Sequence, residues 1–155
     1  MANTFGALLH LRTKPLADCA LAERVGQLCT QHAHAWRDRL LTGRNRRPLV
    51  EVGAAARALA EHLLGTDDVR RAATVAAYVS MGTEPGTGLL LDALLARGSR
   101  VILAVLRPDN DLDWAVHTGP LVPARRGLLE PDGPLLGVDA VATADVVLVP
   151  GLGVS

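Results

Sequence analysis

Three short, almost continuously apolar runs stand out along the chain: residues 74–79, 101–106 and 145–149. Each is rich in Val, Ile or Ala and too short for a helix, the pattern of a strand buried on both faces of a parallel sheet. Between the first two lies a leucine-rich stretch, residues 89–97, that reads as a helix with Thr87 as N-cap and Gly98 as its stop. Residues 74–106 therefore form a β-α-β unit, which is right-handed in nearly every known case. Upstream, Pro48 opens a helix whose Val52, Ala55, Ala56, Leu59 and Leu63 share one face, with Arg57 and Glu61 opposite. Gly65 is placed to end it in a left-handed conformation.

The remaining segments are less regular. Residues 16–29 carry apolar positions at helical spacing after Pro15. Residues 112–116 suit a short edge strand carrying Trp114. Residues 118–137 hold four prolines and four glycines, which predicts a mostly irregular segment. A long ordered loop of this kind is often functional.

This pattern gives an α/β fold: a three-layer α/β/α arrangement around a mostly parallel sheet. In such sheets ligands collect beyond the carboxyl ends of the strands. Three loops meet there: residues 81–86, residues 107–111, and Pro150 onward. The first is Val79-Ser80-Met81-Gly82-Thr83-Glu84-Pro85-Gly86-Thr87, in which a strand, a turn and a helix start meet around one carboxylate, Glu84. By position Glu84 is a binding-site candidate, although the same place suits a solvated loop acid.

Composition narrows the function classes. With 155 residues, one domain burying roughly two-thirds of its unfolded surface is expected. Sixteen basic and sixteen acidic residues cancel, so no global field points to nucleic acid or to an anionic membrane. The charge is nonetheless uneven, with Arg37, Arg39, Arg44, Arg46 and Arg47 clustered before Pro48. Arginine forks suit phosphate oxygens, while a solvated basic face is the more common use of such a run.

Aromatic residues are few, which disfavours a base-stacking surface. Cys19 and Cys29 fit neither a C-x-x-C redox pair nor a zinc half-site, and a reduced, cytoplasmic protein is the simplest expectation. His32 and His34 lack neighbours to complete a metal site. No charged segment precedes the brief apolar residues 7–9, so no cleavable signal is expected, and no run reaches the length of a membrane span. The Gly-rich nucleotide loops, the G-x-S-x-G elbow and H-E-x-x-H are all missing.

Several strings in order do carry a resemblance. Ala77-Tyr78-Val79-Ser80-Met81-Gly82-Thr83-Glu84-Pro85-Gly86-Thr87, a leucine-rich helix, Arg97-Gly98, a strand ending Leu106-Arg107-Pro108, Gly127-Leu128-Leu129-Glu130-Pro131 and Asp145-Val146-Val147-Leu148-Val149-Pro150-Gly151-Leu152 together resemble the 5-formyltetrahydrofolate cyclo-ligase family. The match spans about residues 36–152, and its order and spacing are more specific than any single piece.

The resemblance implies ATP- and Mg2+-dependent closure of 5-formyltetrahydrofolate to 5,10-methenyltetrahydrofolate, on an architecture shared with sugar-phosphate isomerases and CoA transferases. It implies folate contacts at Val79, Met81, Glu84, Trp114 and Glu130, and ATP contacts at Arg37, Pro150 and Gly151. Arg37 matches the arginine of a Lys-x-x-x-Arg phosphate pair whose lysine position is Ala33. Family members continue from the Pro-Gly strand end into an Arg-Leu-Gly-x-Gly-x-Gly-Tyr-Tyr-Asp type loop that carries catalytic residues. Residues 153–155 depart from that pattern.

The expectation is thus residues 1–35 as an unassigned extension and residues 36–155 as an incomplete cyclo-ligase-like domain lacking C-terminal strands, with little or no activity alone. A catalytically silent folate- or nucleotide-binding fragment that pairs through an open sheet edge is the alternative. A sugar-phosphate isomerase is a third.

Overall fold

The computed structural model describes the backbone of residues 8–11 and all of residues 36–152; the helix expected at 16–29 lies outside the described residues. In chain order the elements are β1 (Leu8–Leu11), a helical stretch over residues 36–45 (α1), α2 (Leu49–Gly65), α3 (Asp67–Arg71), β2 (Thr74–Ala77), α4 (Gly88–Ala96), β3 (Arg100–Leu106), β4 (Leu112–Val116), β5 (Leu121–Pro123), β6 (Leu129–Pro131) and β7 (Val146–Pro150). Five strands form the main sheet in the order β1-β7-β2-β3-β4. The central β7, β2 and β3 run parallel, and the flanking β1 and β4 pair antiparallel. The mixed α/β class with a mostly parallel sheet is therefore as the sequence pattern implies.

Alternation along the strands sends side chains to two cores. Val75, Ala77, Val101, Leu103, Val146 and Leu148 pack with Ala60, Leu63, Val69, Leu90, Leu91 and Leu94 of the helical layer. Ala76, Ile102 and Trp114 face the other way and pack with Ala144 and the half-buried Ala140 and Val141, at the short 3-10 segment Val138–Thr143. Among the described residues the second face is covered by that segment rather than by an α-helix.

Local chemistry accounts for most boundaries. Pro48 takes the N-cap position of α2 at φ −59°, where its missing N–H removes no helical bond. Gly98 adopts φ +84° and its amide donates to the Leu95 carbonyl at 2.9 Å, the left-handed stop that a glycine tolerates without cost. Gly65 differs from expectation. It is the last helical residue of α2, and the chain leaves through an extended Thr66 at φ −72°, ψ 142°. The Thr66 hydroxyl donates to the Leu63 carbonyl at 2.7 Å, so a side chain does the work assigned to a left-handed glycine.

One other expectation is sharpened. Residues 118–137 are not wholly irregular, because β5 and β6 form an antiparallel hairpin turned through Arg126 at φ +58°. In the main sheet β7 is interior, because Leu8–Leu11 pairs along it from Leu8 opposite Pro150 to Leu11 opposite Val147. On the far side, β4 is bridged by Leu135 opposite Ala115.

Candidate functional site

Since β7, β2 and β3 are parallel neighbours, their carboxyl ends bring the loop after β2 between the other two. This loop, residues 78–87, is closed at its root by the exchange of two bonds. The Ser80 amide donates to Thr87 Oγ1 and the Thr87 amide donates to Ser80 Oγ, both at 3.0 Å. The Thr87 hydroxyl also donates to the Tyr78 carbonyl at 3.1 Å. Thr87 does precede α4, but its hydroxyl does not cap that helix; it holds the loop instead.

Within the loop, a tight turn projects the acid. The Glu84 amide donates to the Met81 carbonyl at 3.0 Å, and Glu84 Oε2 accepts the Met81 amide at 2.9 Å. Gly82 sits inside at φ +55°, a conformation costly for side-chain-bearing residues. Gly86 lies against α2, where an added Cβ would meet the Ala56 methyl at 3.7 Å.

Helix α1 delivers a cation to this acid. Arg44 Nη1 stands 3.7 Å from Glu84 Oε1, with 16% and 23% of the two side chains exposed. The next residue, Asn45, accepts the Thr83 hydroxyl at 2.7 Å through Oδ1. Tyr78 lies in the same field: burial, reinforced by the Glu84 charge and opposed by Arg44, pushes its hydroxyl up to about 12.

The expected site residues separate into groups. Val79, Met81 and Glu84 share the loop: Val79 packs on the helical core, and Met81 is 42% exposed. Glu130, on β6, accepts the Leu106 amide through Oε1 at 2.9 Å and so stands at the carboxyl end of β3. Pro150 and Gly151 end the neighbouring β7. Arg37 is exposed on α1, two turns and about 10 Å before Arg44 on the same helical face. Trp114 is not brought to the loop; it packs with Ala76, Ile102 and Ala144 and has little surface left for a ligand.

Sequence reasoning missed the distinct parts played by Arg44, Asn45, Ser80 and Thr87. A signal for Arg44 was present. Leu40 and Leu41 are the apolar anchors of α1, and Arg44 follows them by four and three residues, hence on the anchored face.

A cavity of about 440 Å³ lies elsewhere, lined by residues including Asp68, Arg71, Thr143 and Asp145. It sits at the amino ends of β2 and β7, where Asp145 Oδ2 accepts the Ala73 and Thr74 amides, both at 2.9 Å. That carboxylate ties two strand starts together. Among the described residues no group of three or more His, Cys, Asp or Glu side chains could hold a metal ion, and no helix is long and apolar enough to cross a membrane.

The sequence model of the 5-formyltetrahydrofolate cyclo-ligase family matches residues 29–155. The chain belongs to that family. A 5-formyltetrahydrofolate cyclo-ligase of Mycolicibacterium smegmatis is 47% identical over 87 residues, 52% of this chain and 45% of the relative. The solved structure of Aquifex aeolicus 5,10-methenyltetrahydrofolate synthetase superposes with a TM-score of 0.56 at 17% identity, covering 64% of this chain and 52% of that one. This second likeness establishes the fold. The chain matches about half the length of both proteins, and the loop bearing Glu84 lies inside the family match.

Proposed function

We propose that this chain binds 5-formyltetrahydrofolate at the loop after β2 and takes part in its ATP-dependent cyclisation to 5,10-methenyltetrahydrofolate. The observation that carries the reading is Glu84, a carboxylate fixed by the Met81 amide and Arg44 at the carboxyl end of a central parallel strand. A carboxylate has lone pairs for more than two donors, so Glu84 retains acceptor capacity for the N–H groups of a pterin. Met81 and Val79 supply apolar surface on the same loop. Glu130 closes the neighbouring strand end with one oxygen committed to the backbone and the other left to a ligand. Arg37, Pro150 and Gly151 are assigned to the nucleotide.

In this reading the γ-phosphoryl group moves from ATP to the formyl oxygen, breaking the bond to the β-phosphate and releasing ADP. The N10 lone pair then attacks the formyl carbon, N10 gives up its proton, and the C–O bond breaks with phosphate as leaving group. Without phosphorylation the departing group would be an oxide, a far poorer one. Magnesium would travel with the nucleotide phosphates, since it keeps most of its water and uses few protein ligands; the described residues do not fit a protein-built cage for it.

The test is a titration of 5-formyltetrahydrofolate into the chain and into Glu84→Ala. A loss of affinity of about tenfold or more is expected, the size of one or two charge-assisted hydrogen bonds. Equal affinities would remove Glu84 from the site. Following the methenyl absorbance with ATP present separates turnover from the alternative reading, binding without catalysis.

A further inference from the structure

Arg44 is more enclosed than the one ion pair it makes among the described residues explains. Its Nη1 stands 3.7 Å from Glu84, well beyond the roughly 2.8 Å of a charge-assisted hydrogen bond. Its Nε–H is buried and has no hydrogen-bond partner among the described residues. A guanidinium carries five donors in a rigid fork, and Glu84 cannot swing to meet that fork without releasing the Met81 amide that holds its other oxygen. The mismatch leaves an edge of an enclosed cation open to an acceptor from outside the protein.

We propose that Arg44 binds a phosphoryl oxygen, and that the phosphoryl group is the one passed to the substrate. The proposal rests on the folate reading of Glu84. If Glu84 faces the pterin, the formyl group on N5 belongs to the same bicyclic ring, whereas the substrate's glutamate carboxylates lie at its far end. An oxyanion beside Glu84 is then the phosphoryl group at the formyl oxygen. Arg37 follows the same helical face about 10 Å away, so the two arginines mark a track for a nucleotide's phosphates leading toward Glu84. Arg44 thereby joins the folate and phosphate halves of the site.

The experiment titrates ATP, inorganic phosphate, L-glutamate and 5-formyltetrahydrofolate separately into the 155-residue chain, Arg44→Gln and Arg44→Lys, with unfolding midpoints recorded for each. Arg44→Gln is expected to weaken ATP and phosphate by about tenfold or more, and by more than it weakens 5-formyltetrahydrofolate, whose Glu84 contact Arg44 also helps to hold. Arg44→Lys keeps the charge without the fork and is expected to recover part of the loss.

Unchanged phosphate and ATP affinities in both variants would overturn the proposal, as would a parent chain that binds neither anion. A loss confined to 5-formyltetrahydrofolate would overturn it too, since Arg44 would then only position Glu84. Competition of L-glutamate with phosphate would assign the fork to a carboxylate instead. If the parent binds phosphate in an Arg44-dependent manner but no 5-formyltetrahydrofolate, the anion site is supported and the folate reading alone fails.

Discussion

Ser80 and Thr87 hold each other by two hydrogen bonds, each backbone amide donating to the partner's hydroxyl at 3.0 Å. Thr87 is only 2% exposed, so water cannot readily replace it. Thr87→Val removes the hydroxyl and leaves the Ser80 amide and the Tyr78 carbonyl without their partner. A loss of about 1–3 kcal/mol in folding stability is expected, read from the urea midpoint, together with weaker 5-formyltetrahydrofolate binding because the root of the Glu84 loop opens. Thr87→Ser keeps the hydroxyl and is expected to retain most of both. A Thr87→Val variant that outperforms Thr87→Ser would mean that the methyl, not the hydroxyl, matters.

Tyr78 is the chain's single tyrosine, which makes it a reporter on the two charges beside it. Burial is the main reason its hydroxyl is pushed up to about 12, with Glu84 adding to the shift and Arg44 opposing it. Glu84→Gln is therefore expected to bring the tyrosinate absorbance in at lower pH than in the parent. Arg44→Gln is expected to move it to higher pH. Two variants shifting in the same direction would show that these charges do not both act on Tyr78.

Within one helix, burial separates two leucines of identical chemistry. Leu94 is fully buried on α4, while Leu89, on its first turn, is 51% exposed. Leu94→Ala is expected to cost about 2–5 kcal/mol through lost transfer energy and the cavity left behind, and Leu89→Ala about 0.5 kcal/mol or less. Denaturant midpoints at a common m-value check the contrast.

These contrasts also explain what the sequence could and could not reveal. Residues 75–77, 101–103 and 146–149 are apolar without a break because both sheet faces are covered near them, so the parallel core and the loops at its carboxyl edge were legible from pattern alone. Pro48 and Gly98 mark boundaries through backbone chemistry that needs no tertiary context. Arg44 is another matter. Five arginines lie between residues 37 and 47, and the one that meets Glu84 depends on how α1 rests against the loop. Thr87 was legible as a helix start, but not its hydroxyl's turn toward Tyr78 and Ser80, a competition between two local bonds that the fold decides. Trp114 looks like a ligand platform until Ala76, Ile102 and Ala144 close around it. The β5–β6 hairpin uses strands of three residues each, too short for any periodicity to declare itself.

His117 gives the fold an acid sensitivity of its own. It follows β4 directly, its amide donates to the Val101 carbonyl at 2.8 Å, and the residue is 4% exposed, with Nδ1 buried and without a partner among the described residues. Burial lowers its pKa from the ordinary histidine value, and the exposed Asp92 on α4 only partly opposes that shift. The folded chain therefore takes up this proton less readily than the unfolded chain. The stabilising contribution is complete above about pH 6.5, the unfolded value, and is lost as the pH falls through that value toward the lower folded pKa, where the unfolded state binds more protons.

His117→Leu removes both this proton linkage and the orphaned nitrogen. The stability of the parent relative to His117→Leu is accordingly expected to decline as the pH is lowered from about 7.5 to 5.5, measured by urea unfolding at each pH. Taking the difference between the two proteins cancels the carboxylates and the other histidines, which titrate alike in both. Parallel stability curves over that range would show that His117 keeps an ordinary proton affinity in the folded state, and that its enclosure is looser than the geometry of β4 and α4 implies.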